Sequence, residues 1–122
     1  MELKAATASL SALAHDGRLG VFRLLVKAGP EGLAAGEIAR CMNVLPNTLS
    51  ANLNLLNQAG LIEPRRQGRS IIYTASYARM TELLAFLLDD CCGGAPEICA
   101  PLANALKRTQ GCVDGSTERE VA

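Results

Sequence analysis

Apolar residues recur every three or four positions through the first sixty residues, and this spacing predicts a series of short helices. A first helix is predicted over residues 3–14 and a second over residues 18–28, with Asp16 as its N-cap and Gly29-Pro30 as its end. A third is predicted over 35–41, and a fourth begins at Pro46 and ends before a left-handed Gly60. On the first helix this spacing is shown by Leu3, Ala6, Leu10 and Leu13. The inward-facing side chains of the next three helices are predicted to be Leu19, Phe22, Leu25, Val26, Ile38, Leu49, Leu53 and Leu56.

The hydrophobic period changes after residue 60. Residues 61–66 and 69–74 are predicted to be strands of a hairpin, with Gln67-Gly68 as its tight turn. A fifth helix is predicted over 76–89, followed by a loop rich in cysteine and glycine and a short helix over 101–108. The pattern therefore indicates a mainly helical domain with a β-hairpin over residues 1–110 and a flexible tail over 111–122. The predicted inner face of the fifth helix consists of Tyr77, Met80, Leu84, Leu87 and Leu88.

Composition narrows the class of protein. A chain of 122 residues suits one domain, and its 49% of hydrophobic residues can form a core that is aliphatic, because aromatic residues make up only 3%. No apolar run approaches the ~18 residues that span a bilayer, and the N-terminus does not resemble a signal peptide. We therefore expect a cytoplasmic protein with five cysteines in a reducing compartment, where disulfides are rare and metal-binding or redox roles of cysteine are more common.

The charge is unevenly distributed along the chain, although its net value is zero. Residues 15–72 carry seven basic and four acidic side chains, whereas the remaining residues carry five basic and eight acidic ones. A basic middle between acidic ends is the distribution expected of a local nucleic-acid-binding surface.

The third and fourth predicted helices, joined by a short turn, form a helix-turn-helix pattern, and the basic hairpin follows it. A polar helix face or a few hairpin arginines alone would usually be only solvated, but this order of elements is specific, and it predicts binding of double-stranded DNA. Short amides and hydroxyls can bind base edges or phosphates, and guanidinium groups can bind phosphates or the minor groove. The predicted DNA-binding residues are Asn47, Thr48, Ser50, Asn52, Asn54, Arg65, Arg66 and Arg69.

Residues 49–73, LSANLNLLNQAGLIEPRRQGRSIIY, resemble the recognition helix and wing of ArsR/SmtB-type metalloregulatory repressors. Residues 15–25, HDGRLGVFRLL, are similar to the family's second-helix signature, although Gly17 and Gly20 differ from its usual residues, and Asn52 stands where many relatives have histidine. The resemblance implies a winged helix-turn-helix homodimer whose first and fifth helices form the interface. It also implies a repressor that leaves its operator when a metal ion binds.

Three cysteines lie close together after the fifth predicted helix, in the spacing C-C-x6-C: Cys91, Cys92 and Cys99. Glycines in the intervening segment permit the chain to reverse, so that three thiolates can converge into a soft metal site. Trivalent As(III) or Sb(III) takes three sulfur ligands, and methyl-As(III) needs two, whereas Zn(II) takes four ligands. The sequence therefore predicts a thiophilic inducer, As(III) foremost, and no organic cofactor.

The family resemblance agrees with this ligand choice. Zinc-sensing relatives have Asp and His ligands on the fifth helix, but here Asp89 and Asp90 have no histidine partner. Other arsenic sensors of the family carry a Cys-x-Cys motif in the third helix, where this chain has only Cys41. The trio Cys91, Cys92 and Cys99 resembles the C-terminal As(III) site of a subgroup of arsenical repressors.

Alternatives remain for the cysteines. The trio could be a redox sensor, in which vicinal thiols oxidise, or part of a small thiol reductase, although no C-x-x-C motif is present and we do not expect an enzyme. A constitutive structural zinc protein is a third alternative. Cys41 is expected to be a small core residue, His15 to mark a helix boundary, and Cys112 to be an unused thiol, a fourth ligand or a redox partner.

Overall fold

Helices form wherever the sequence has a period of three to four residues. The computed structural model describes residues 1–88 together with 101, 104 and 105, and the statements below concern these residues. The last three are helical, and the remainder of the helix predicted over 101–108 lies outside the described residues. The helices within residues 1–88 are α1 (Leu3–Leu13), α2 (Asp16–Ala28), α3 (Ala35–Met42), α4 (Pro46–Gln58) and α5 (Tyr77–Leu88).

The N-cap of helix α2 lies one residue before its predicted position. His15, not Asp16, is the N-cap, and its ring nitrogen Nδ1 accepts hydrogen bonds from the backbone N–H groups of Gly17 (3.1 Å) and Arg18 (3.4 Å). Asp16 is the first helical residue, where its carboxylate lies favourably near the positive end of the helix dipole. The expectation that His15 marks a helix boundary is confirmed.

The sheet has three antiparallel strands in the order β1 (Leu33–Ala34), β3 (Ser70–Ala75) and β2 (Ile62–Gln67). The hairpin is shifted by one residue from its prediction, because Gln67 pairs with Ser70 and the two-residue turn is Gly68-Arg69. Gly68 has φ +64°, and a two-residue hairpin of type II′ requires glycine at its first central position. Strand β1 was not predicted, because two residues are too few to show an alternating pattern.

The core lies between α2, α3, α4 and the base of the hairpin, within one compact unit formed by Met1–Phe86. Its aliphatic character is as predicted, with Phe22 as its only buried aromatic side chain among the described residues. No helix among the described residues is long and apolar enough to cross a membrane. The buried side chains of this cluster are Ala12, Val21, Phe22, Leu25, Ile38, Leu49, Leu53, Leu56, Leu61, Ile62 and Ala75.

Several predicted inward-facing positions are wrong. Leu19 on α2 is exposed, and so are Tyr77, Leu84 and Leu87 on α5, where Leu83 is buried instead. On α1, Leu3 and Leu10 are exposed whereas Ala6 and Ser9 are buried, so this helix turns its small residues inward. The spacing predicted the helices correctly, but it could not identify which apolar face this chain covers by itself.

Candidate DNA-binding surface

Helices α3 and α4 are joined by a turn of three residues, Asn43 to Leu45. Asn43 adopts a left-handed conformation (φ 55°), which asparagine tolerates better than most residues. The backbone N–H of Asn43 donates to the carbonyl of Arg40, and the backbone N–H of Val44 donates to the carbonyl of Ala39. These two hydrogen bonds end α3. Pro46 then occupies the first turn of α4, as predicted, where no backbone N–H is needed.

Helix α4 presents a polar face to solvent and an apolar face to the core. Leu49, Leu53 and Leu56 are buried. Four of the five predicted DNA-binding residues on this helix are exposed, and they occupy the side opposite the leucines: Asn47, Thr48, Ser50 and Asn54. In a helix-turn-helix unit, the second helix is the one that enters the major groove.

Asn52 is not part of this exposed face. It is only 7% exposed, and a β-carbon at Gly17 would lie 3.0 Å from its Nδ2 atom. The prediction that Asn52 contacts DNA is therefore corrected, because its side chain packs inward against α2. The helical period already contained this information, since Asn52 follows Leu49 by three positions and precedes Leu56 by four.

Both unusual glycines of α2 make room for a neighbouring side chain. A β-carbon at Gly17 would lie close to Asn52 and to the His15 ring, at 3.0 and 3.1 Å, and one at Gly20 would lie 2.6 Å from the Cε of Met42. The absence of side chains at these positions thus allows α2 to pack closely on α3 and α4. Gly17 and Gly20, the two positions that differ from the family signature, are therefore explained by the close packing of α2 against its neighbours.

The three hairpin arginines are all exposed but do not form a single cluster. Arg65 and Arg66 are adjacent on β2, so their side chains lie on opposite faces of the hairpin, and Arg69 is in its turn. Arg65 also donates a hydrogen bond from Nη2 to the backbone carbonyl of Glu31 (3.2 Å). One guanidinium thus helps to hold the hairpin against the segment before β1, while the other two form no such contact with a described residue.

Two exposed side chains near this surface were not assigned by the sequence. Arg40 on α3 is exposed, as a phosphate-binding residue of the first helix of the motif would be. Leu45, the N-cap of α4, is 73% exposed. A turn of three residues has no periodic pattern, so nothing in the sequence indicated that Leu45 is exposed whereas Val44 is partly buried.

The predicted inducer site lies outside the described residues, because Cys91, Cys92 and Cys99 all follow residue 88, as does Cys112. Cys41 is exposed on α3, and the expectation that it is a core residue is wrong. Within the described part of the chain, no three His, Cys, Asp or Glu side chains are grouped as ligands of a metal ion would be.

Comparison with known proteins identifies the type of regulator. Residues 13–65 match the model of a helix-turn-helix domain family. The structure resembles the homodimeric winged helix-turn-helix DNA-binding domain of Mb0332 from Mycobacterium bovis, a possible ArsR-family transcriptional regulator, with 31% identity, a TM-score of 0.58, and coverage of 72% of this chain and 82% of that one. It also resembles NolR from Sinorhizobium fredii, with 32% identity, a TM-score of 0.57, and coverage of 68% and 81%. The chain belongs to the ArsR family of winged helix-turn-helix transcriptional regulators.

A further relative is also a transcriptional regulator. This ArsR-family chain is 29% identical to the HTH-type transcriptional regulator YgaV of Escherichia coli strain K12 over 87 residues, which are 71% of this chain and 86% of that protein. The predicted winged helix-turn-helix fold is confirmed, and DNA is its partner, with α4 as recognition helix and the β2–β3 hairpin as wing. These relatives are transcription regulators and not enzymes.

Proposed function

We propose that this ArsR-family protein is an arsenical-responsive repressor. As a homodimer without inducer it binds operator DNA. Binding of As(III) by Cys91, Cys92 and Cys99 releases the operator and derepresses arsenic-resistance genes. Sb(III) and methyl-As(III) are further candidate inducers.

The observation that carries this proposal is the C-C-x6-C spacing itself, which begins three positions after the last residue of α5, Leu88. Three thiols offer trivalent arsenic a complete pyramidal ligand set, and each As–S bond forms with loss of one water from arsenous acid. Zinc would require a fourth ligand. The donor set therefore fits a trivalent thiophilic ion better than a divalent one.

A route from α5 to the DNA-binding surface is available in the described residues. A β-carbon at Gly60, just after α4, would lie 3.0 Å from Nη2 of Arg79, so this α5 guanidinium packs over the end of the recognition helix. The hydroxyl of Tyr77 also donates to the carbonyl of Val26 at the end of α2 (3.1 Å). A change that ligand binding imposes on α5 would be transmitted through the Arg79 contact to the end of α4 and through the Tyr77 hydrogen bond to α2.

The proposed dimer uses α1 and α5. Leu3 and Leu10 on α1 are seven residues apart and thus share one face, as do Tyr77 and Leu84 on α5, and all four are exposed in the single chain. Mb0332, the relative from Mycobacterium bovis, is homodimeric. A second copy that covers these faces would bury apolar side chains that otherwise remain in water.

On DNA, the proposed dimer places each α4 in a major-groove half-site, with half-site centres about 34 Å apart. The exposed α4 side chains Asn47, Thr48, Ser50 and Asn54 contact base edges or nearby phosphates. Arg65, Arg66 and Arg69 on the wing contact the phosphate backbone or the minor groove.

The test is release of DNA by inducer. Purified full-length protein is bound to a fluorescent duplex selected from a randomised pool, and As(III), methyl-As(III), Sb(III), Zn(II) and Cd(II) are titrated while anisotropy is measured. Release by the trivalent ions is expected. Conversion from mostly bound to mostly free requires roughly 5.5 kcal/mol of differential binding. Cys91→Ser, Cys92→Ser and Cys99→Ser proteins should bind DNA normally and stay bound with As(III) present.

Cys41→Ser is the matched control, because Cys41 is an exposed thiol on α3 outside the proposed site, and its response should be that of the unaltered protein. Normal As(III) release by all three site variants would show that the proposed site is wrong. Release by diamide that dithiothreitol reverses, without release by As(III), would favour a redox sensor. Tightly held zinc in the purified protein would favour a structural metal site.

A further inference from the structure

Leu45 is the most exposed of the large hydrophobic side chains among the described residues, at 73%. It is also the N-cap of α4, with extended backbone angles (φ −70°, ψ 146°), and no side chain caps the helix there. Serine, threonine, aspartate and asparagine are strongly preferred at this position, since their oxygen accepts a hydrogen bond from the first turn.

Two local rules are thus broken at one residue, which is expected where function rather than stability selects the side chain. Leu45 lies at the leading end of the recognition helix, next to the exposed residues Asn47 and Thr48. In helix-turn-helix complexes, the N-terminal residues of this helix contact base edges. The one apolar group that base edges display in the major groove is the 5-methyl group of thymine.

We propose that Leu45 is a specificity-determining residue that contacts the 5-methyl group of a thymine in each operator half-site. The proposal rests on the DNA-binding activity of the family and not on the nature of the inducer. It accounts for both the exposure of Leu45 and the missing cap, because an apolar side chain at this point acquires its partner only on DNA.

The experiment uses replacement of thymine by deoxyuridine, which removes only the methyl group. Duplexes are selected from a randomised pool with the full-length protein, and each thymine is replaced in turn. One thymine per half-site is expected to show an affinity loss of about fourfold, the value of one buried methyl group. Leu45→Ala protein should bind the thymine duplex four- to tenfold more weakly, by a rough estimate on the same basis, and should not distinguish thymine from deoxyuridine at that position.

Two further variants separate contact from helix capping. Leu45→Met retains an apolar side chain without a cap, and its thymine dependence should remain. Leu45→Ser supplies a cap, so its melting temperature should rise by about 4 °C while the thymine dependence is lost. A residue with only a structural role would not change stability and thymine discrimination in opposite directions.

Leu55→Ala is the matched control, because Leu55 is a 44% exposed leucine ten residues further along the same helix. It should retain the full deoxyuridine profile. The proposal is overturned if Leu45→Ala protein shows the same profile as the unaltered protein, or if no thymine responds to replacement. Failure to select any duplex would instead contradict DNA binding by this protein. The thymine experiment contains no inducer, so its outcome does not depend on whether the proposed inducer is correct.

Discussion

Two glycines of the segment between α2 and β1 have nearly the same backbone conformation but different surroundings. Gly29 has φ +79° and Gly32 has φ +70°. A β-carbon at Gly29 would meet no atom within 4 Å, whereas one at Gly32 would collide with the carbonyl oxygen of Tyr73 and lie 2.7 Å from a Thr74 methyl group. Gly32 thus permits the close approach of β1 to β3, which Gly29 does not influence.

Gly32→Ala is therefore expected to destabilise the protein by about 4 kcal/mol or more, because strain at positive φ adds to a clash with backbone. Gly29→Ala is the control at nearly the same backbone geometry (ψ −164° against −170°), and it should cost only the strain, about 1–3 kcal/mol. Chemical denaturation followed by circular dichroism measures both values. Equal losses for the two variants would show that the approach of β1 to β3 does not depend on Gly32.

Asn52 shows where a residue-level prediction failed although the information was present. Its chemistry suggested a base-reading amide, but its position in the helical period, three after Leu49 and four before Leu56, places it on the buried side. The prediction for Cys41 failed for another reason, and for the same reason the exposure of Leu45 was not predicted. Whether a small apolar side chain at the end of a helix is covered depends on the neighbouring elements, and a single sequence does not specify their placement.

At the scale of elements, long periodic segments were predictable and short ones were not. The periods of α2, α4 and α5 predicted these helices to within one or two residues, because several buried positions repeat in each. Strand β1 has only two residues, and its pairing depends on β3, nearly forty residues away. The hairpin was predicted but displaced by one residue, because the turn is set by the glycine at its first central position.

The wing offers a prediction at this scale, because its arginines differ in their contacts. Arg66→Ala and Arg69→Ala should each reduce the slope of log affinity against log salt by about one, with folding stability unchanged. Arg65→Ala should do the same and also lower stability by about 1 kcal/mol, since its hydrogen bond to Glu31 is lost. The slope is measured by anisotropy titrations at salt concentrations from about 50 to about 200 mM, a range over which phosphate contacts change the affinity strongly.

Lys4→Ala is the control for the wing variants, since Lys4 is an exposed cation on α1 and not on the α4 or hairpin surface. Its salt slope should equal that of the unaltered protein. An unchanged slope in both Arg66→Ala and Arg69→Ala would mean that the hairpin does not contact the phosphate backbone.

At the scale of the whole molecule, α1 and α5 both expose leucines, and on α5 these include positions that were predicted to face inward. Their period is that of a buried stripe, yet Leu10 and Leu84 are 43% and 42% exposed in the single chain. A stripe that the chain does not cover by itself is expected where a second copy covers it. A sequence pattern reports that a side chain is apolar and periodic, but it does not report which molecule supplies the partner surface.

The double variant Leu10→Lys/Leu84→Lys is therefore expected to fold as a monomer, because charges would have to be buried for the proposed interface to form, whereas both side chains are already solvated in the free chain. Light scattering after size-exclusion chromatography should show half the mass of the unaltered protein. Operator affinity should fall by a factor on the order of ten or more, because a monomer contacts only one half-site. Leu19→Lys provides the control, because Leu19 is equally exposed, at 43%, but lies on α2, so this variant should remain dimeric. A dimeric Leu10→Lys/Leu84→Lys protein would place the interface elsewhere. If the proposed inducer site is correct, the folded monomer should still bind As(III) at Cys91, Cys92 and Cys99, because this site does not depend on the proposed interface. It should not show inducer-dependent loss of half-site spacing, because it has only one recognition helix.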